Sequence, residues 1–399
     1  MAAYLDAAKS LGKPILVISN SEHSLVPEIA HGITVDFDDP ESALSTVREV
    51  LDDMDIACVI ATDDSCVALA SRIAGHYRLP QNSLDTAKLT QRKDLGREAL
   101  QQAGCETPDF RVMAIDEKES GAGLPHPVVL KPLGLAASRG VIRANNDIEF
   151  SEACSRIDAI LETAGQRGFL RDHILVESYL DGDEYAVEGF MQNGEFHLLT
   201  IFDKPEPLTG PYFEETYYLT PTRLSAAGQE SLVQEVTNCC AAYGLQQGPV
   251  HAEVRFIENG PVLLELAART IGGQCGQLIE FSLGHKLEEL VIQGMCNELP
   301  DRASNQEAAG VLMIPIRQAG ILKRVEGMID ALQTPYVRDI EIHISPGYEL
   351  VPLPEGSSYL GFIFAQAPDF DSAYRALQLA HEKLGFITQP RWGIENTGS

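Results

Sequence analysis

The sequence has 399 residues, 44% hydrophobic and 22% charged, a composition typical of a globular protein with two or three domains. Its formal net charge of −28 argues against nucleic acid as a partner, because phosphate binding requires an excess of Lys and Arg. The eight cysteines form no CxxC pair or metal-ligand spacing, and there is no signal peptide and no apolar run of about eighteen residues. We therefore expect a cytoplasmic protein with reduced thiols and no membrane span.

The first eighty residues alternate between helices and short apolar strands. We predict helices over 2–11, 42–51 and 65–77, and strands over 14–19 and 56–61. This alternation is typical of a doubly wound parallel sheet. Such a unit usually opens on a strand with a Gly-rich turn, whereas this chain opens on a helix. Either the first strand is absent or the start of the chain has been lost.

Two polar segments in the first hundred residues have two interpretations each. Asp63 and Asp64 follow a predicted strand, where open α/β sheets bind ligands, although an N-cap for the next helix is the simpler role. A helical stretch at 83–103 places Lys93 and Arg97 on one face, which is either solvated or directed at an anionic ligand.

An apolar strand ending at Lys131 leads into a loop of small residues. The loop contains Ser138, Arg139 and Gly140, and its N–H groups can wrap a phosphate while the lysine supplies positive charge. It is not a P-loop, because the lysine precedes the glycines. A mobile hairpin loop is the alternative.

Acidic residues join two further predicted strands, at 174–179 and 185–191. An extended segment from Glu177 through Leu180 can pair with an adenine edge while Glu184 reaches ribose hydroxyls, although an ordinary strand pair with solvated acids also fits. The segment 202–221 is rich in Pro and aromatic residues, and we predict it to be a long lid or substrate loop.

The most informative segment is a predicted hairpin with strands at 250–257 and 262–267, joined by an Asn-Gly turn. Glu253 and Glu265 lie in its apolar strands, where carboxylates are costly to bury unless they are paired or bound to a cation. They form either a divalent-metal site or a solvated pair. Arg269 follows, and beyond it come two glycines whose backbone can approach a ligand closely.

The remaining elements are helices, a linker and a separate C-terminal unit. We predict helices over 225–244 and 278–295, a linker over 304–309, strands over 310–315, 341–344, 349–351 and 360–365, and an amphipathic helix over 369–384.

In this order the motifs resemble the ATP-grasp superfamily, and within it the carboxylate–amine ligases of the L-amino-acid ligase type. The resemblance implies an α/β fold that is α+β in part: an N-terminal Rossmann-like parallel-sheet domain over 1–86, a two-lobed nucleotide-binding core over 87–303 with a small lobe over about 120–190, and a C-terminal sheet-plus-helix domain over 304–399 related to that of biotin carboxylase.

The resemblance also implies which residues act. Nucleotide contacts are expected from Lys93, Lys131, Ser138, Arg139, Gly140, Glu177, Leu180 and Glu184. Glu253 and Glu265 are expected to hold Mg²⁺, with Mn²⁺ as an alternative ion, and Arg269 to stabilise an acyl phosphate and a tetrahedral intermediate. Substrate contacts are expected from Lys204, Glu215, His251, Gly272 and Gly273. His251 either serves as a base or hydrogen-bonds behind the site.

The resemblance implies an ATP- and Mg-dependent ligase that activates a carboxylate, expected to be an amino acid, as an acyl phosphate and joins it to an amine. Release of ADP and phosphate and a homodimeric state are implied as well. Many superfamily members carry ExN where this chain has Glu265-Leu266-Ala267, so one metal ligand differs. The alternatives are a bicarbonate-activating enzyme resembling biotin carboxylase and an ATP-binding regulator without catalysis.

Overall fold

Successive segments of the chain alternate between two structural units in the computed structural model, which describes residues 2–20, 31–37, 39–117, 123–300 and 307–390. The first unit consists of Met1–Thr107, Tyr185–Ile201 and Arg223–Asn305. The second consists of Pro108–Glu184, Phe202–Thr222 and Gln306–Ser399. The division into three domains, at 86/87 and 303/304, stays a prediction, and its second boundary lies outside the described residues.

Helices and strands are numbered along the chain. The helices are α1 (Ala2–Ser10), α2 (Pro40–Leu51), α3 (Val67–His76), α4 (Leu84–Gln91), α5 (Lys93–Ala103), α6 (Asp147–Thr163), α7 (Phe169–Asp172), α8 (Ala226–Tyr243), α9 (Gly276–Leu283), α10 (Leu287–Met295), α11 (Met328–Leu332) and α12 (Phe370–Lys383). The strands are β1 (Val17–Ser19), β2 (Gly32–Thr34), β3 (Phe110–Ala114), β4 (Val128–Pro132), β5 (Ile142–Ala144), β6 (His173–Ser178), β7 (Asp183–Gln192), β8 (Glu195–Lys204), β9 (Tyr217–Thr220), β10 (Gly248–Ile257), β11 (Gly260–Ala267), β12 (Ala308–Ile314), β13 (Gly320–Glu326), β14 (Val337–Ile342), β15 (Glu349–Leu350), β16 (Gly361–Ala367) and β17 (Gly385–Gln389).

The N-terminal part of the first unit contains the expected parallel pairing. β1 pairs with β2 in parallel, and α2 and α3 pack on the pair through Val47 and Ile73, both buried. The strand predicted over 56–61 is wrong, because this segment forms no ladder with any described strand. Ile56 and Val59 nevertheless pack against the same hydrophobic cluster. The apolar run thus indicated contact with the core correctly, but it did not indicate whether the segment pairs with a strand.

Two predicted helices are each divided into two. The stretch 83–103 is interrupted at Arg92, whose backbone is extended, so that α5 begins at Lys93. The stretch 278–295 is interrupted at Gly284, which ends α9 in the left-handed conformation. The first break is one residue long and the second covers the three residues 284–286, and a hydrophobic period that continues through so short a break does not reveal it. The break at Arg92 determines where Lys93 lies.

The larger sheet of the first unit carries the predicted hairpin. β11, β10, β7 and β8 lie side by side in that order, and α8 packs on them through a core of Val187, Val250, Leu263, Leu232 and Val236, all buried. Both faces of the hairpin strands are therefore largely covered, which explains their apolar sequences.

The strands of the second unit form three further groups. β3, β6, β4 and β5 form an antiparallel sheet covered by α6. β9, β12, β16 and β14 lie side by side under α12, and β15, β13 and β17 form a small sheet, so the expected C-terminal sheet-plus-helix packing is confirmed. In the described part of the chain, no helix combines the length and apolarity that crossing a bilayer requires.

Two loop predictions in the second unit are wrong in part. The segment 202–221 is not a structureless loop: β8 continues to Lys204, and β9 pairs with β12. Tyr217 and Tyr218 are buried in β9, so the aromatic residues there indicate a strand. Of the predicted linker 304–309, residues 304–306 lie outside the described residues and Ala308 already belongs to β12.

Candidate functional site

Glu253 and Glu265 face each other across the β10–β11 hairpin. They are direct register partners, and a β-bulge follows between Glu253 and Val254. Side chains of directly opposed residues lie on the same face of a sheet, with Cβ atoms about 5 Å apart. Both carboxylates reach the surface, since their side chains are 21% and 36% exposed. The hairpin therefore offers the two oxygen donors that the sequence predicted to meet there.

Helix α5 packs its basic face against the second hairpin strand. Lys93 Nζ lies 3.2 Å from Glu265 Oε1. One turn later, Arg97 donates to the carbonyl oxygens of Leu263 and Leu264, both at 2.8 Å, and its side chain is almost fully buried. The interpretation of this face as solvated is therefore wrong. Arg97 fixes the strand that carries Glu265, and Lys93 neutralises the carboxylate.

A buried carboxylate–imidazole pair lies behind Glu253. Glu188 of β7 is fully buried, and its Oε1 lies 2.5 Å from His251 Nδ1. His251 Nε2 lies 3.6 Å from Glu253 Oε1, and the Ile271 amide donates to Glu188 Oε2 at 3.2 Å. The structure therefore places His251 in a hydrogen bond behind the site, which is one of the two roles expected for it, the other being a base.

The electrostatics of this pair favour a proton held between its members. Burial raises the pKa of Glu188, while attraction and hydrogen bonding from His251 oppose that rise. Burial alone lowers the pKa of His251, but Glu188, with help from Glu253, outweighs burial and raises it to about 9. An imidazole that retains its proton at neutral pH is a poor base and a good hydrogen-bond donor to Glu253.

Sequence reasoning missed Glu188. The signal was present, because Glu188 interrupts the apolar run of β7 in the same way that Glu253 interrupts β10. What the sequence lacks is any indication that β7 lies beside β10, since 63 residues separate Glu188 from His251.

Arg269 is held by a residue from the N-terminal part of the same unit. Its Nε and Nη2 each lie 2.9 Å from Asp64 Oδ2, and its Nη1 donates to the Thr270 carbonyl at 2.9 Å. The expected N-cap role belongs to Asp63, which accepts from the Ser65 amide at 2.9 Å. Asp64 is therefore available to orient the Arg269 guanidinium, which is 17% exposed.

The two glycines that follow Arg269 differ in conformation. Gly273 has φ +62°, a region that favours glycine. A Cβ built on Gly272 would meet nothing within 4 Å, so open space lies beside this backbone. The expected close approach of a ligand to Gly272 is sterically permitted.

In the second unit, Lys131 and Glu177 form a buried ion pair on adjacent strands. Lys131 Nζ lies 2.6 Å from Glu177 Oε2, and both side chains are nearly inaccessible, at 13% and 3% exposed. β4 and β6 pair antiparallel, which places these residues on neighbouring strands. Leu180, two residues beyond β6, is partly exposed. The predicted adenine segment and the second predicted lysine are therefore brought together.

Lys204 lies between two carboxylates of the second unit. Its Nζ is 2.7 Å from Glu184 Oε1 and 2.6 Å from Glu215 Oε1, and the Tyr218 ring centroid lies 5.0 Å away. The lysine side chain is only 3% exposed. Glu184 was predicted to contact ribose, and Lys204 and Glu215 to contact substrate. In the structure these three residues form one cluster of ion pairs.

The predicted phosphate loop has an unusual backbone and is tied at one end. Ser138 has φ +54° and Gly140 φ +75°. Arg139 between them does not have a positive φ, and such alternation of right- and left-handed residues directs neighbouring N–H groups into a concave, anion-binding arrangement. The Gly140 amide donates to the Pro354 carbonyl at 2.9 Å, and Arg139 Nε donates to the Glu355 carbonyl at 3.0 Å. Arg139 is therefore engaged with backbone in this conformation.

Models of known protein families match three segments that together cover most of the chain. An ATP-grasp N-terminal domain model matches residues 5–81, an ATP-grasp domain model matches residues 124–277, and the model of L-amino acid ligase C-terminal domain 2 matches residues 312–389. The order of the matched segments is the order that the sequence motifs predicted.

Individual proteins with similar sequence or structure include three ligases or synthases. Dapdiamide A synthase of Enterobacter agglomerans is 28% identical over 68% of this chain and 66% of its own length. Alanine–anticapsin ligase of Bacillus subtilis strain 168 is 26% identical over 61% of this chain and 54% of its own length. The chain thus spans about two thirds and about half of these two relatives.

The structural comparison covers almost the whole chain. L-amino acid ligase from Bacillus licheniformis superposes with a TM-score of 0.84 and 26% identity over 97% of this chain and 95% of that chain. The predicted fold class and the predicted resemblance are both confirmed. The chain therefore contains an ATP-grasp N-terminal domain and an ATP-grasp domain, followed by an L-amino acid ligase C-terminal domain, and it has the fold of an L-amino acid ligase.

Proposed function

We propose that this protein is an ATP-dependent carboxylate–amine ligase that activates an amino-acid carboxylate as an acyl phosphate and joins it to an amine, releasing ADP and phosphate. The observation that carries the proposal is the direct pairing of Glu253 with Glu265, with Lys93 3.2 Å from the second carboxylate. Phosphoryl transfer depends on positioning and on neutralising negative charge, for which the two carboxylates can hold a cation and Arg269 supplies an oriented positive charge. The three similar ligases support the same chemistry.

Mg²⁺ is the proposed metal, and the donor set fits it. Two carboxylates on one face of a hairpin supply hard oxygen ligands, and Mg²⁺ usually completes its shell with waters and phosphate oxygens. Glu253 and Glu265 would hold the ion, whose chemistry is to neutralise charge on the β- and γ-phosphates. Ala267 supplies no ligand, so the protein contributes two side chains from this hairpin.

The ion pairs suggest how the lysines prepare for a nucleotide. Lys93 neutralises Glu265, and Lys131 neutralises Glu177. We propose that each lysine turns to a phosphate oxygen when ATP binds, which leaves the carboxylates free for metal and for the adenine amino group. Glu265 would exchange one cation for another, while Glu177 would exchange a cation for a hydrogen-bond donor, so neither carboxylate would lose its partner without replacement. Glu184 would likewise exchange Lys204 for the hydrogen-bond donors of the ribose hydroxyls.

Arg269 is proposed to stabilise negative charge on the reacting acyl group. Asp64 orients its guanidinium through Nε and Nη2, so little reorganisation is needed as charge develops. The His251–Glu188 pair is proposed to hold Glu253 in place from behind, because the second ring nitrogen of His251, Nε2, lies 3.6 Å from Glu253 Oε1. Gly272 leaves room for the substrate backbone.

The direct test is turnover with defined substrates. Purified protein is incubated with ATP, Mg²⁺ and pairs of amino acids, and ADP, phosphate and ligated product are quantified. Hydroxylamine is included in parallel, because it converts an acyl phosphate into a stable hydroxamate. ATP turnover that requires an amino acid supports the proposal. Turnover driven by bicarbonate without an amine, or ATP binding without turnover across a broad panel, would overturn it.

The Arg269 role has its own test. Arg269→Ala is expected to lower kcat by about 100- to 1,000-fold while ATP affinity is retained. Arg324→Ala is a matched control, because Arg324 is an exposed arginine whose Nε pairs with Glu326 at 2.6 Å. An equal loss of ATP affinity in Arg269→Ala would contradict the role assigned to Arg269.

We further propose that the protein acts on small molecules as a homodimer, which sedimentation equilibrium would test. A cytoplasmic location stays a prediction from the cysteine pattern.

A further inference from the structure

Two cysteines and a glutamate that are far apart in sequence converge at the α5–α8 contact in the first unit. Ligand atoms of Cys105, Glu235 and Cys239 all lie within 4.8 Å of one another. Cys239 Sγ lies 3.5 Å from Glu235 Oε1. None of the three belongs to the proposed ligase machinery.

Regular structure holds all three residues in place. Glu235 and Cys239 are four residues apart on α8, so they occupy neighbouring positions on one helical face. Cys105 follows Gly104, which ends α5 with φ +78°. The Cys105 amide donates to the Leu100 carbonyl at 3.0 Å, which completes the helix cap and fixes the cysteine backbone. An i, i+4 pair on a helix with a third ligand from another segment is an arrangement that zinc sites use.

The cluster is partly shielded from solvent. Cys239 is fully buried, and Cys105 and Glu235 are half-buried. Burial raises the pKa of all three groups, so it disfavours their free anions. A bound divalent ion would compensate the charge of two thiolates and one carboxylate held in such a position.

A cavity borders one member of the cluster. It has a volume of about 300 Å³ and is lined by Glu106, Glu235, Asn238 and residues at the tip of the β10–β11 hairpin, including Asn259 and Pro261. Glu235 is the member that lines it, so water in the cavity has room to lie beside this residue.

We propose that Cys105, Glu235 and Cys239 bind one thiophilic divalent cation of the Zn²⁺ type, with water from the cavity as fourth ligand. Binding forms two metal–sulfur bonds and two metal–oxygen bonds, one to Glu235 and one to water; the other waters of the hydrated ion and the two thiol protons pass to the solvent. Tetrahedral zinc takes mixed sulfur and oxygen ligands, with Zn–S bonds of about 2.3 Å that place ligand atoms about 3.8 Å apart. Spacing within 4.8 Å needs only a small contraction.

This site is distinct from the proposed magnesium site. Its cavity is at the turn of the hairpin, whereas Glu253 lies four residues before the end of β10, about 13 Å along the strand. The ligand chemistry also differs, since thiolates select soft ions and paired carboxylates select Mg²⁺.

The first unit contains a second thiol pair that serves as an internal control. Cys58 and Cys296 hydrogen-bond to each other, and Glu298 and Cys296 raise the pKa of the Lys13 ammonium, which in turn opposes the rise in the pKa of Cys58. A neighbouring ammonium repels a divalent cation. Cys58 and Cys296 should therefore bind a thiophilic ion much more weakly than Cys105 and Cys239.

The test titrates untagged, reduced, full-length protein with Cd²⁺ and follows the cadmium–thiolate charge-transfer band, with Zn²⁺ competition to obtain affinity. One equivalent is expected to bind. Cys105→Ser and Glu235→Gln are each expected to weaken binding at least tenfold, since even loss of residues behind metal ligands costs 10- to 100-fold. The Cys58→Ser/Cys296→Ser double variant is expected to bind as the wild type does.

Folding is verified independently by circular dichroism and by ATP-dependent turnover, neither of which depends directly on this cluster. Cys105→Ser and Glu235→Gln are chosen because both positions are only half-buried. Absence of a band in wild-type protein would overturn the proposal. So would a band that survives Cys105→Ser and Glu235→Gln, or one that is lost only in the Cys58→Ser/Cys296→Ser variant.

Discussion

Replacing Arg97 by methionine should loosen the strand that carries Glu265. Methionine retains the length of the side chain but removes donors to the Leu263 and Leu264 carbonyls, each at 2.8 Å. The Leu263 bond is buried, and hydrogen bonds from charged groups contribute about 1.5–3 kcal/mol. The partly buried Leu264 bond adds about 0.5–1.5 kcal/mol. We therefore expect a loss of about 2–4.5 kcal/mol, a large fraction of a typical unfolding free energy.

The assay combines stability with function. Chemical denaturation followed by circular dichroism measures the loss, and hydrogen exchange in peptides covering β11 shows whether that strand opens more often. The Mg²⁺ concentration for half-maximal activity should rise, because Glu265 lies on the loosened strand. Arg97→Lys should be intermediate, since an ammonium does not reproduce the fork that reaches two successive carbonyls.

The matched control is Arg48→Met on α2. Arg48 is 50% exposed and pairs with Asp52 at 3.5 Å, an arrangement that contributes about 0–0.5 kcal/mol. The reasoning is refuted if Arg97→Met loses no more stability than Arg48→Met, or if exchange in β11 is unchanged.

Three other outcomes are expected. Gly96→Ala should lower the melting temperature although alanine favours helices, because the new Cβ would lie 2.1 Å from the Tyr243 hydroxyl oxygen. Adding Tyr243→Phe, which removes that oxygen, should restore part of the lost stability. An unchanged melting temperature in Gly96→Ala would contradict this close packing. The raised pKa of His251, about 9, means that the native state binds more protons than the unfolded state, so its contribution to stability is complete below about pH 6.5 and is lost as pH rises toward 9. Denaturation midpoints measured across this range should fall in the wild type and flatten in Glu188→Gln; parallel profiles would argue against the pair. Gly140→Ala should raise the KM for ATP several-fold with little change in kcat, because φ +75° strains any side chain there, and unchanged steady-state kinetics would remove this loop from nucleotide binding.

Residue chemistry in local context predicted much of the candidate site. Glu253 and Glu265 were identifiable because a carboxylate in an apolar strand needs a partner, and the Asn-Gly turn predicted the hairpin that places them opposite each other. Lys93 and Lys131 were identifiable from a helical period and from a strand leading into a small-residue loop. In each case the sequence pattern and the residue whose position it predicts lie within about fifteen residues of each other along the chain.

Local patterns failed where the partner was distant or the break was short. The apolar run at 56–61 indicated burial but not whether another strand would pair with it, and 202–221 concealed β9 because its partner, β12, lies about ninety residues away. The interruption at Arg92 is a single extended residue, which a period of 3.6 does not register.

By itself the sequence indicated the class of chemistry, because Lys93, Lys131, Glu253, Glu265 and Arg269 occur in the order in which ATP-grasp ligases carry similar motifs. Only the tertiary structure decided what surrounds them. It placed Glu188 behind His251 and Asp64 against Arg269, and it brought Cys105 to Cys239 although no sequence spacing linked these cysteines. The physical reason is that burial and long-range strand order set the environment of a charge or a thiol, and neither is encoded in the residues adjacent to it.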